Sequence, residues 1–133
     1  MADPRMLQML GTLARENGDL GRAEKAYRAL LMTVRRRGAD EEVDVGSAEV
    51  LYELHALARS RDDEATATEL RDSALEAAAQ SDAEAFRFRD VLAEREEHEL
   101  ALAGLERRVE VASEPKSKAA VLAAMGAVLE AIG

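Results

Sequence analysis

Residues Leu7 to Leu31 read LQMLGTLARENGDLGRAEKAYRALL, and their spacing specifies two short amphipathic helices joined by a tight turn at Gly18-Asp19. Leu7, Leu10 and Ala14 fall three and four residues apart, which stacks them on one face of a helix. Leu20, Ala23, Tyr27, Leu30 and Leu31 do the same for the second helix. Gly18 stands where the first helix must stop, because glycine accepts the left-handed conformation of a helix end. Asp19 can cap the next helix, and Glu24 gives it early negative charge. Gly11 and Ala23, one small residue on each helix, allow the two backbones to approach closely.

The same spacing recurs along the chain. Leu7, Leu10, Ala14 is followed by Leu51, Leu54, Ala58, then by Ala85, Phe88, Leu92, and last by Leu122, Met125, Leu129. Sixteen residues after the first member of each of the first three sets comes an alanine: Ala23, Ala67 and Ala101. Eight residues further lies a large aliphatic: Leu31, Leu75 and Val109. Successive sets are offset by 44, 34 and 37 residues, so the hairpins are constant and the connections vary, as in a solenoid. In the fourth set Gly126 answers Gly11 and Gly133 answers Gly18. The expectation is three helical hairpins, at about 4–37, 47–80 and 82–112, and a final unpaired helix at about 117–132.

Leu10-Gly11, Ala14, Gly18, Ala23 and Tyr27 resemble the signature of the tetratricopeptide repeat, a helix–turn–helix unit of about 34 residues. The resemblance covers most of residues 4–133. It is closest in the first hairpin and loosest in the second, where Arg71 replaces the aromatic of Tyr27. It implies an all-α, right-handed α-solenoid of about three and a half repeats in seven helices. It also implies a concave groove lined by the first helix of each hairpin. The residues one position after each first apolar member, and those one and two turns on, would face it: Gln8, Thr12 and Arg15; Tyr52, Ala56 and Arg59; Phe86, Asp90 and Ala93; Ala123, Ala127 and Glu130. The expected partner-binding residues among these are Gln8, Thr12, Arg15, Tyr52, Ala56, Arg59, Phe86 and Asp90. Tyr52 and Phe86 are half of all the aromatics, with Arg15 and Arg59 beside them as donors to an anion. The competing reading is that Phe86 packs against a neighbouring helix and Tyr52 covers a seam. The Lys and Asn with which chaperone-binding members of the family clamp a terminal carboxylate are missing from this face, so that ligand is not implied.

Composition bounds the rest. A chain of 133 residues is 47% hydrophobic but only 3% aromatic, so its core must be built from alanine and leucine. That suits close helix packing and argues against a β-sandwich. The net charge of −9 argues against nucleic-acid binding, since phosphate neutralisation needs clustered Lys and Arg. No cysteine occurs, which excludes disulfide and thiolate chemistry and fits a reducing, cytoplasmic setting. The N-terminus lacks the apolar core of a signal peptide. Ala119 to Ile132 is apolar but far shorter than the roughly 20 residues of a membrane span, and Glu130 interrupts it.

Along the chain, helices are expected at about 4–17 and 20–36, with Gly38 as a stop. The long connection RRGADEEVDVGS runs from Arg36 to Ser47, where Ser47 can cap a third helix that continues to about Ser60. Arg61-Asp62-Asp63 forms the second turn, and Ala67, Leu70, Ala74 and Leu75 carry the fourth helix to about Gln80. Ser81-Asp82-Ala83-Glu84 is a capping box for a helix at about 82–96. The break at Glu96-Glu97-His98 contains no glycine and rests on the repeat spacing alone. The sixth helix ends near Ala112, before Pro115, and the seventh begins near Ser117.

Nothing in the sequence forms a catalytic constellation. His55 and His98 belong to no Glu-x-x-His or His-x3-His pair, so no metal site is expected. Asp62-Asp63 and Glu96-Glu97 fall at turns, where carboxylates cap helices more often than they catalyse. Gly18-Asp19-Leu20-Gly21 lacks the Lys-Ser/Thr of a phosphate loop. Arg35-Arg36-Arg37 reads as a helix end balanced by its dipole, with Asp40-Glu41-Glu42 downstream. The function expected is a non-catalytic scaffold or adaptor binding a protein or peptide partner, without cofactor, nucleic acid or membrane. The alternatives are a regulatory or sensor domain that binds a small ligand or an intramolecular segment, and a compact bundle with an active site. Leu122, Met125, Val128, Leu129 and Ile132 on the seventh helix lack a partner helix, so that face is expected to meet further repeats, close as a cap or form a homodimer.

Overall fold

Six of the seven helices in this computed structural model, which describes residues 3–37 and 45–133, start at a side-chain cap, a capping glutamate or a proline. Asp3 Oδ1 accepts the Arg5 amide at 3.0 Å and opens α1 (Pro4–Glu16), with Pro4 in a first turn that misses no donor. Asp19 Oδ1 accepts the Arg22 amide at 3.2 Å at the start of α2 (Leu20–Arg37). Before α3 (Ser47–Ser60) the cap is Gly46 rather than Ser47, and the Gly46 amide donates to Glu49 Oε1 at 3.1 Å. Asp63 Oδ1 accepts the Thr66 amide at 3.2 Å for α4 (Glu64–Ala78). Ser81 Oγ accepts the Glu84 amide at 3.1 Å for α5 (Asp82–Glu94). α6 (His98–Val111) follows a turn, and α7 (Pro115–Ile132) begins on the proline itself, two residues before the expected start. The expected stop at Gly38, and residues 38–44 of the long connection with it, lie outside the described residues. The described residues are thus all-α, and no helix among them is long and apolar enough to cross a membrane.

The three hairpin turns share one geometry. Gly18, Asp62 and Glu96 all take a left-handed backbone, with φ of 79°, 59° and 59°. Their amides donate to the carbonyls of Arg15, Arg59 and Ala93 at 3.0–3.1 Å. The next amides, of Asp19, Asp63 and Glu97, reach back to Ala14, Ala58 and Leu92 at 2.8–3.0 Å. This is the paired closure that satisfies the last carbonyls of a helix. The following helix then begins with Ala23, Ala67 and Ala101 donating to the carbonyls of Asp19, Asp63 and Glu97. Gly133 repeats the first part of the pattern, with φ of 99° and a bond to the Glu130 carbonyl at 3.2 Å. These four left-handed residues are spaced by the same 44, 34 and 37 residues that separate the apolar sets.

The chain divides into two compact units, Met1–Arg71 and Asp72–Gly133, with the boundary inside α4. In the first, α1 packs on α2 and α2 on α3. Gly11 is buried against Tyr27: a Cβ added there would lie 2.8 Å from Tyr27 Cζ, so only glycine admits the ring. Tyr27 is itself buried, its hydroxyl 3.3 Å from Thr12 Oγ1. Arg15 ties α1 to α3 through an ion pair with the buried carboxylate of Glu53. The His55 Nδ1–H donates to the Ala67 carbonyl at 2.7 Å, which joins α3 to α4 and fixes that proton on Nδ1. Nearly all of α3 is buried, including Leu51, Leu54 and Ala58.

In the second unit α5 packs on α6, and α7 lies against both. Ala85, Leu105, Val121, Ala124 and Val128 form a core, flanked by Phe86, Leu102, Val109 and Met125. Here the ring and the glycine exchange helices: a Cβ on Gly104 of α6 would meet Phe88 Cδ2 of α5 at 2.9 Å. Phe88, Leu92 and Ala101 are buried as their spacing requires. Two expected core sets differ. On α1, Leu7 and Ala14 are only half-buried and Leu10 is exposed, because the helix turns its small Gly11 side inward to receive Tyr27. On α7, Val121, Ala124 and Val128 face inward, which leaves Leu122 and Leu129 outside.

Replacing Gly11 by Ala is expected to destabilise the fold by about 1–2 kcal/mol. The overpacking against Tyr27 outweighs alanine's better helix propensity of roughly 1 kcal/mol. Glu96→Gly should do the opposite and stabilise by about 0.5–1 kcal/mol, since it removes a left-handed non-glycine residue. Urea midpoints of the two variants against the parent chain check both signs.

Candidate functional site

The eight residues expected to line a groove do not share one environment. In the first unit Gln8, Thr12 and Ala56 are half-buried, and Thr12 is engaged with Tyr27. Arg15 pairs through Nη1 with the carboxylate of Glu53. Tyr52 is only 6% exposed, its ring 5.9 Å from that of His55. Arg59 is exposed at the end of α3. In the second unit Phe86 is half-buried under the Arg89 guanidinium, which sits 5.0 Å from the ring centre and bonds Asp90 at 2.9 Å. Phe86 also packs against the core formed by α5, α6 and α7.

A different surface stands out on α1. Met6, Met9, Leu10 and Leu13 are 52–64% exposed, and their spacing of three, one and three residues places them on one face. Four large apolar side chains side by side in water form a patch of the kind that marks a docking surface. Beside this ridge lies a groove of about 340 Å³. Its floor and walls are Leu10, Leu13 and Ala14 of α1 and Ala26 of α2, and Asn17, Asp19 and Arg22 supply the polar rim. Arg22 and Asp19 hold each other at 3.5 Å, which leaves one charge of each sign at the mouth. A volume of this size lies at the low end of small-ligand pockets and suits one or two anchoring side chains of a peptide. The sequence carried one signal for this ridge that its helical spacing did not use. Met6, Leu7, Met9, Leu10 and Leu13 are five large apolar residues in eight positions, more than one inward stripe can take.

A charged network lies in the second unit. Asp82 Oδ1 accepts from Ser117 Oγ at 2.6 Å and from Arg108 Nε at 2.7 Å, while Arg108 Nη1 donates to the Ala79 carbonyl at 2.9 Å. The network ties the start of α5 to α6 and α7. The Ser117 hydroxyl, helped by Arg108 and opposed by partial desolvation, holds the Asp82 carboxyl below its usual 3.8. Asp63 is lowered as well, by the side chain and amide of Thr66 that it caps. Among the described residues no group of three or more His, Asp or Glu is arranged to hold a metal ion. No protein-family model and no curated protein matches the chain.

A carboxylate whose folded pKa is depressed stabilises the fold above its unfolded pKa and loses that contribution as pH falls through the folded value. The parent chain should therefore lose more stability than Asp82→Asn as pH is lowered from about 5 to below 3.8, and the two should differ by a constant amount near neutrality. Denaturant titrations at stepped pH test this.

Proposed function

We propose that the chain is a tetratricopeptide-like array of helical hairpins acting as a non-catalytic interaction module, a scaffold or adaptor that holds a peptide or helical segment of a partner protein. The observation that carries this reading is the ridge of Met6, Met9, Leu10 and Leu13 beside its groove. Apolar surface kept in water at this density costs solubility unless something docks on it. Methionine adds a flexible, polarisable surface that adapts to different apolar anchors. An amphipathic helix presenting residues at i, i+3 or i+4 and i+7 matches the ridge, with a short apolar side chain entering between Leu13 and Ala26. The array reading draws support from the shared turn geometry, and from α7 lying against both α5 and α6 as the first helix of a next hairpin would. The acidic balance of the chain favours a partner whose anchors are flanked by Lys or Arg.

Selection of a displayed library of amphipathic helical peptides against the chain, counter-screened with Leu10→Asp/Leu13→Asp, tests the proposal. Both side chains are half exposed, so the double variant should keep its helical circular dichroism and unfolding midpoint. Selected peptides should share apolar anchors at helical spacing and bind the variant at least about tenfold more weakly. Peptides that bind parent and variant alike would place the interaction elsewhere.

A further inference from the structure

The outer face of α7 carries a pattern that fits a second copy of itself. From Ala119 to Leu129 the helix has no charged residue, in a chain that is 34% charged. Val121, Ala124 and Val128 use one side of the helix for the core of their own unit. The side turned away exposes Leu122 and Leu129 to 53–54%. Ala119, Leu122, Gly126 and Leu129 are also exposed and follow one another at intervals of three, four and three residues, the spacing of a seam between two helices. Small and large residues alternate along that seam. A Cβ added at Gly126 would meet nothing within 4 Å, so the notch between Leu122 and Leu129 is open on the surface of this chain.

We infer that two copies pair through α7, antiparallel, about a twofold axis near Ala123. In that register Leu122 of each copy enters the notch at the other's Gly126, and each Leu129 covers the other's Ala119. Charge selects the same arrangement. Lys116 and Glu130 lie two heptads apart along one edge of this face, with Ala123 midway, and both are exposed. An antiparallel pair sets each Lys116 beside the other copy's Glu130, and it opposes the two helix dipoles. A parallel pair would instead place lysine on lysine, glutamate on glutamate and leucine on leucine. Closed twofold contacts are self-complementary, and this face is. A single helix against a single helix is a small interface, so the association is concentration-dependent rather than obligate. It uses a different helix from the α1 groove and does not depend on that groove having a ligand.

Sedimentation equilibrium over a dilution series, on the intact chain and five variants, tests the pairing. The parent should rise reversibly toward twice the chain mass. Gly126→Gln fills the notch without a clash inside the chain and strengthens the helix, so it should fold at least as well and raise the dimer Kd at least about tenfold. Lys116→Glu and Glu130→Lys should each weaken the dimer, and the double exchange should restore it. A parent chain that stays monomeric throughout overturns the inference. So does a dimer indifferent to Gly126→Gln, or a double exchange that fails to rescue. A dimer lost instead on Leu10→Asp would assign the contact to α1 and overturn it too.

Discussion

A left-handed residue two positions past the end of a helix is what turns this chain back on itself. At Gly18 that backbone is available without strain, while at Asp62 and Glu96 it costs roughly 1 kcal/mol of local strain. The segment from Asp82 to Val111 shows why the cost is accepted. Glu96 and its neighbours are good helix formers, and nothing local forbids one continuous helix through α5 and α6. Reversing the chain lets α6 bury Leu100, Ala101 and Leu105, and brings Gly104 against the ring of Phe88. Burial of large side chains at about 1.5–3 kcal/mol each exceeds the strain at one residue. Tertiary packing sets this turn, and the hydrogen bonds from Glu96 and Glu97 to Ala93 and Leu92 satisfy what the reversal leaves open.

Close packing across the hairpins is achieved twice with the same chemistry and opposite placement. In the first unit the glycine is on the leading helix and the ring on the returning one; in the second the order is exchanged. The exchange has a consequence for α1. With Gly11 turned inward to meet Tyr27, the larger residues of that helix are displaced to its other side, where Met6, Met9, Leu10 and Leu13 meet water. Packing thus generates the surface on which the proposed function rests. α7 shows the same division, since its valines and Ala124 fill the core and its leucines remain outside.

Much of the helical order was legible from spacing. The apolar sets at Leu51, Leu54, Ala58 and at Ala85, Phe88, Leu92 are buried, and the break between α5 and α6 falls where the period requires it despite having no glycine. The caps at Asp19 and Ser81 were visible because short polar side chains at helix starts have one common use. Rotation of the outer helices was not legible. A helix with apolar residues on two faces, such as α1 or α7, can present either, and the choice is made by which side accepts a ring or a neighbouring helix. The burial of Tyr52 was hidden for a related reason: α3 is covered on most of its surface, so its apolar spacing does not single out one inward face. The Asp82–Arg108–Ser117 network joins residues as far as 35 positions apart and leaves no periodic trace.

The recurring turn is the claim on which the hairpins and their spacing depend, and Glu96 is where it is most exposed to contradiction. Backbone assignment by NMR with amide exchange through Leu92–Ala101 measures it directly. Positive φ at Glu96, with slowed exchange at the Glu97 amide matching that at Asp19 and Asp63, is the predicted result. Helical shifts running unbroken from Asp82 to Val111, with negative φ at Glu96, would contradict it.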